Sequence, residues 1–165
     1  MAASPLWMIV DLALAMSLGG IVGLEREIKD RPAGFRTHTL VAGSAALLVC
    51  IGQSVLADAR FSHMSNVVVD PLRLVEAVVA GVAFIGAGTI FASRERNTVI
   101  GITTAASLLI VAVIGIAIAF RYYVLGIGAA ALTLLVLTAL DRIERRISAR
   151  LKTRQGDDTD GSAHE

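Results

Sequence analysis

Cysteine is almost missing from this chain. Cys50 stands alone in 165 residues, which excludes an internal disulfide, and its place inside an apolar run reads as packing within the second span. Charge is scarce as well. Asp, Glu, Lys and Arg make up 18% of the sequence, against about a quarter in an ordinary soluble domain. With a formal net charge of +1, the chain lacks the basic excess that grips nucleic acid, and no nucleic-acid partner is expected. There is no nucleophile with a base at workable spacing, no phosphate-binding loop and no His/Cys/Asp spacing suited to zinc. No enzyme activity and no cofactor is expected, and the sequence leaves any metal unknown.

What fills the chain is apolar. Hydrophobic residues are 55% of it and the mean hydropathy is +0.71. Five apolar runs, near 5–24, 38–57, 72–92, 98–119 and 122–140, each approach the roughly 20 residues that a hydrocarbon core demands. Such runs are too continuous for the alternating strands of a membrane barrel. The fold class expected is an all-α integral membrane protein, a bundle of five transmembrane helices. Residues 1–147 form its membrane domain, and 148–165, rich in Asp, Gly and Ser, read as a polar, disordered cytoplasmic tail.

No Lys or Arg precedes the first run, so it reads as an uncleaved span rather than a secretory signal. If every run crosses once, only Arg60, Arg73 and Arg121 of the fifteen Lys and Arg fall on one side. Basic loops stay cytoplasmic, which puts the amino terminus outside and the carboxyl terminus inside. The lipid bilayer is thus the first partner.

Ionisable groups inside apolar runs are costly enough to be functional suspects. Asp11 shares one helical face with Ala15, Gly19, Val22 and Arg26, a face expected to point into the bundle. Arg73 and Glu76 open the third span and continue along Ala80, Ala83 and Ala87 on a similar stripe; they are expected to pair with each other, or Arg73 with Asp11. Thr103 and Thr104 in the fourth span either bond back to their own helix or reach across to another. These five, Asp11, Arg73, Glu76, Thr103 and Thr104, are the candidate intramembrane polar path. Small residues mark close helix contacts: Gly19 and Gly23 at spacing four, then Gly81, Gly86 and Gly88 in the third span. The first pair also permits a homodimer. Gly86-Ala87-Gly88 has a second reading, as a weakened helix beside a transport path.

Between the first two runs lies a charged cassette whose Glu25, Arg26, Arg36, Thr37 and His38 form the candidate functional loop, read either as a structural turn or as a surface that docks a partner or ligand, with Pro32 and Gly34 turning the chain. The expected geometry sets Glu25 beside Arg36, with Thr37 or Thr39 capping the second helix. His38 reads as a histidine satisfied by hydrogen bonds near the interface rather than a metal ligand.

Four ordered motifs carry a resemblance: Gly23-Leu24-Glu25-Arg26-Glu27, Ala33-Gly34-Phe35-Arg36-Thr37-His38-Thr39-Leu40-Val41, Gly81 to Ile90, and Gly101-Ile102-Thr103-Thr104-Ala105-Ala106-Ser107-Leu108. With these, the chain resembles the MgtC/SapB family of bacterial inner-membrane proteins over about residues 6–147. Departures from the family pattern include Phe35 and Ile102 for Leu, Ala83 for Gly, Leu109 for Trp, Ala77 for Gln, Asp11 where Arg is common and Glu76 where a small residue is common. The resemblance implies a multi-pass protein of the bacterial cytoplasmic membrane, tied to growth at low magnesium and, in pathogens, to virulence. It also implies action on a membrane-protein partner such as the proton-translocating ATP synthase. Many members carry a cytoplasmic ACT-like domain after the last span, and this chain is expected to lack it. The function expected is a non-enzymatic modulator of ion homeostasis or membrane energetics; the alternative is a small transporter of Mg2+, another cation or protons.

Overall fold

The computed structural model describes residues 5–58, 70–92 and 101–139. The basic tail, Arg60, Arg94, Arg96 and the 148–165 segment lie outside the described residues. Every described element is a helix: α1 (Pro5–Ile28), α2 (Phe35–Ala57), α3 (Pro71–Ala92), α4 (Ile102–Ala119) and the shorter α5 (Tyr123–Ala139). The first four are long and apolar enough to cross a membrane. All-helical architecture is what lipid requires, because each backbone amide is satisfied within its own segment.

Boundaries differ from the apolar runs where polar residues can still continue a helix. α1 runs on to Ile28 and α2 starts at Phe35, so most of the charged cassette is helix end and only residues 29–34 are loop. α1 stops in a turn where Asp30 takes a left-handed φ of 51°, with Asp30 N–H bonded to the Glu27 carbonyl and Arg31 N–H to that of Arg26. That pair of bonds is the Schellman ending, which closes orphan carbonyls. α4 ends the same way, with Arg121 at φ 63° and Tyr122 N–H bonded to the Ala117 carbonyl. The fourth run begins later than expected, at Ile102. Gly101 there sits at φ +105°, and an added Cβ would lie 2.9 Å from the Thr89 carbonyl oxygen, so both conformation and space demand glycine.

α3 opens on Asp70, whose Oδ1 accepts from Leu72 N–H at 2.9 Å, with Pro71 in the first helical position; acid cap followed by proline is a strong start signal. The helix is continuous through Gly86-Ala87-Gly88, which removes the broken-helix reading.

Residues 1–131 form one compact unit. Consecutive helices within it run antiparallel, as close approaches between Gly23 and Gly34, Gly52 and Leu74, and Gly86 and Ala105 require. Its core joins α1, α2 and α4. Gly19 faces Ala42, with an added Cβ 2.6 Å from that Cβ, and Gly115 abuts the Ala42 backbone. Backbones approach this closely only where side chains are absent, the packing mode that suits helices in lipid. Cys50 is a buried free thiol in this core. The second unit, 132–165, is described only over the last turns of α5, where Thr138 Oγ1 bonds back to the Leu134 carbonyl at 2.7 Å.

Candidate functional site

Helical spacing from Asp11 to Arg26 builds the site. Asp11 is 2% exposed, Ala15 0%, Val22 0% and Arg26 2%, and Gly19 is buried too. The inward face read from the sequence is therefore real. Its two polar residues stand fifteen positions apart, about 22 Å along the helix, and each organises a separate cluster.

At the Arg26 end, Nη2 donates to Thr104 Oγ1 at 3.3 Å. Thr104 sits on the first turn of α4, placed opposite the last turn of α1 by their antiparallel packing. Beside it His38, fully buried, bridges α2 to α4. Its Nδ1 lies 3.0 Å from the Gly34 carbonyl oxygen and its Nε2 3.0 Å from Ser107 Oγ. A carbonyl only accepts, so Nδ1 carries a hydrogen. Ser107 Oγ is also 2.8 Å from the Thr104 carbonyl. Its single hydrogen serves either that carbonyl or Nε2 of the neutral ring, so the direction of this short chain follows the protonation of the imidazole.

At the Asp11 end, the carboxylate accepts from Tyr123 Oη at 2.8 Å, and Arg121 Nε stands 3.7 Å from the other oxygen. Arg121 holds a left-handed backbone that costs an L residue about 1–2 kcal/mol. The strained turn delivers the guanidinium to Asp11. The expected partner Arg73 is instead exposed, as are Glu76, Ala80, Ala83 and Ala87. Val78 and Val82 turn inward in their place. The α3 stripe differs from expectation because α3 packs through Val78, Val82 and Gly86, leaving Ala80, Ala83 and Ala87 outward.

The cassette is also rearranged. Glu25 pairs with Lys29, four residues on and just past the end of α1, rather than with Arg36, which is exposed. Sequence-adjacent turns reach each other at lower entropic cost than side chains on two helices. The N-cap of α2 is Gly34, without a side-chain cap; Glu27 Oε2 reaches across to accept from Phe35 N–H at 2.7 Å. Thr39 Oγ1 donates back to the Phe35 carbonyl at 2.8 Å, so neither it nor Thr37 caps the helix. Thr103 is exposed, whereas Thr104 is 1% exposed. Of the packing glycines, Gly19, Gly23 and Gly86 meet neighbours, while Gly81 and Gly88 have nothing within 4 Å. No group of His, Cys, Asp and Glu among the described residues could hold a metal ion.

Four contributors escaped the sequence reading: Ser107, Tyr123, Arg121 and Glu27. Ser107 lies one helical turn after Thr104 and so shares its face, a signal present in the sequence. Tyr123 and Arg121 had none, because only the fold brings the α4–α5 turn to Asp11.

The model of the MgtC family matches residues 12–146. The chain belongs to that family. It is 38% identical over 139 residues to YhiD of Escherichia coli (strain K12), whose name marks it as a candidate magnesium transporter, covering 84% of this chain and 63% of YhiD. It is 37% identical to SapB of Bacillus subtilis (strain 168) over 116 residues, 70% of this chain and 48% of SapB. It is 40% identical to MgtC of Brucella abortus (strain 2308) over 105 residues, 64% of this chain and 39% of that protein. The chain thus spans less than two thirds of the length of these three relatives. No solved structure gives a significant match. Membership in the MgtC family and the apolar helices together make this a multi-pass membrane protein.

Proposed function

We propose that the chain is a non-enzymatic modulator of ion homeostasis or membrane energetics at low magnesium, acting on a partner in the bacterial cytoplasmic membrane. One observation carries this reading over a transporter: between the Asp11 and Arg26 clusters the α1 face is sealed. Ala15 and Val22 are wholly buried, and Gly19 lies against Ala42 and the His38 carbonyl. An ion crossing a bilayer needs polar groups in succession to replace its water, and over about 22 Å the inner face of α1 offers no polar side chain between Asp11 and Arg26. The exposed Arg73, Glu76 and Thr103 do not bridge that gap.

Five spans with the amino terminus outside fit the antiparallel order of the described helices and the side bias of the basic residues. In that orientation the buried Arg26–Thr104 and His38–Ser107 contacts brace the cytoplasmic ends of three helices. They hold the cassette as a fixed surface, and a fixed surface loses little entropy on docking. The proton-translocating ATP synthase is the partner the family resemblance puts first; a second copy of the chain comes next.

Growth at limiting magnesium tests the docking surface. In a strain relying on this protein, Arg36→Ala should abolish growth while the variant accumulates in the membrane at the normal level. Full growth of the variant would remove the cassette from the mechanism.

A further inference from the structure

α2 and α3 touch where Leu74 covers Gly52, and both line a cleft of about 540 Å³ that runs to Arg36. Along α2 it extends from Leu48 to Arg36, twelve residues or about 18 Å, close to the roughly 15 Å of one leaflet's hydrocarbon. Its walls are apolar, with Leu40, Val41, Val82 and Ile85 among them. Apolar walls over the length of one leaflet suit an acyl chain.

The polar end supplies the second half of the match. Arg36 is exposed, and among the described residues it makes no ion pair. Arg26, by contrast, reaches Thr104, Lys29 pairs with Glu25 and Arg121 stands by Asp11. Thr37 lines the cleft next to Arg36. In the first turn of α2, the N–H groups of Arg36 and Thr37 have no carbonyl in their own helix to bond, while that of Phe35 is taken by Glu27. A guanidinium beside free amides at a helix start suits a phosphate.

We propose that this cleft binds one anionic phospholipid, with an acyl chain between α2 and α3 and the headgroup phosphate on Arg36. A chain gains little by leaving lipid for an equally apolar wall. The selectivity therefore resides in the headgroup and must depend on Arg36, whereas occupancy depends on the space beside Gly81.

Native mass spectrometry tests both halves. The full chain is equilibrated with equal amounts of phosphatidylglycerol and phosphatidylcholine and the retained lipid is counted. Wild type should keep one phosphatidylglycerol with a preference of about fivefold or more, the ratio that about 1 kcal/mol per basic residue at an anionic surface gives. Arg36→Gln should bring the ratio to about one at unchanged thermal midpoint. Gly81→Leu, built where nothing lies within 4 Å, should lose the retained lipid although Arg36 is intact. A wild type without preference, or a preference that survives either substitution, overturns the proposal. So does a wild-type dimer that Gly81→Leu dissociates without altering the lipid ratio, since the cleft is then an interface between copies. Arg36 serves both readings, and Gly81→Leu separates them: a lipid-free Gly81→Leu that still grows at low magnesium leaves Arg36 to docking, and a lipid count that fails in wild type removes the lipid site without touching the docking surface.

Discussion

The two ends of the α1 inner face deal differently with a polar group among apolar helices. Asp11 is met by a tyrosine hydroxyl and by an arginine whose side chain is 45% exposed, so its charge is balanced at a boundary that water reaches. Arg26, His38, Thr104 and Ser107 are all between 0% and 3% exposed, and their contacts tie three helices together. A boundary cluster tolerates change because water replaces a lost partner. An enclosed one does not, since each removed group strands its neighbour. The enclosed cluster is therefore the element that fixes the helix ends around Arg26, and the Asp11 cluster trims the opposite end.

Substitutions can break this contrast. The largest effect is expected from His38→Ala, which opens a cavity and removes both imidazole contacts, leaving Ser107 only the Thr104 carbonyl and the Gly34 carbonyl only the backbone N–H of residue 38. A loss of about 3 kcal/mol follows from the cavity and hydrogen-bond terms combined, measured by reversible unfolding in detergent micelles. A loss under about 1 kcal/mol would mean that water reaches the cluster. Next comes Gly115→Ala, whose new methyl meets the Ala42 backbone and should cost about 1–3 kcal/mol as overpacking. Its control, Gly88→Ala, enters open space and should be neutral or stabilising by up to about 1 kcal/mol through helix propensity. Equal melting shifts for the two would contradict the tight α2–α4 approach. The smallest effect is expected from Asp11→Asn. The amide oxygen still accepts from Tyr123 and only a part-exposed ion pair is lost, about 1 kcal/mol or less; a collapse of the fold in that variant would erase the distinction between the two ends.

Composition and periodicity made the helical membrane class legible, because long apolar runs admit few alternatives. The α1 face was legible for the same reason, as Asp11, Ala15, Gly19, Val22 and Arg26 keep helical spacing whatever surrounds them. Partners across helices were not. Arg73 and Arg121 were both assigned to Asp11's side of the membrane, and nothing local says that the left-handed turn at Arg121 delivers it to Asp11. The α3 stripe failed because alanine suits an inward contact and a lipid-facing surface equally well. His38 showed its satisfied character in advance, yet its partner Ser107, 69 positions away in sequence, needed the fold.

The sealed stretch between the two clusters is the claim on which the functional reading rests, and ion flux tests it most directly. Purified protein is reconstituted into liposomes with magnesium, potassium and proton reporters under an imposed pH gradient, beside empty vesicles. A sealed face predicts flux no greater than in empty vesicles from correctly inserted protein that also restores growth at low magnesium. Flux above that background, reduced by Asp11→Asn, would show that the face opens and that the chain is a transporter.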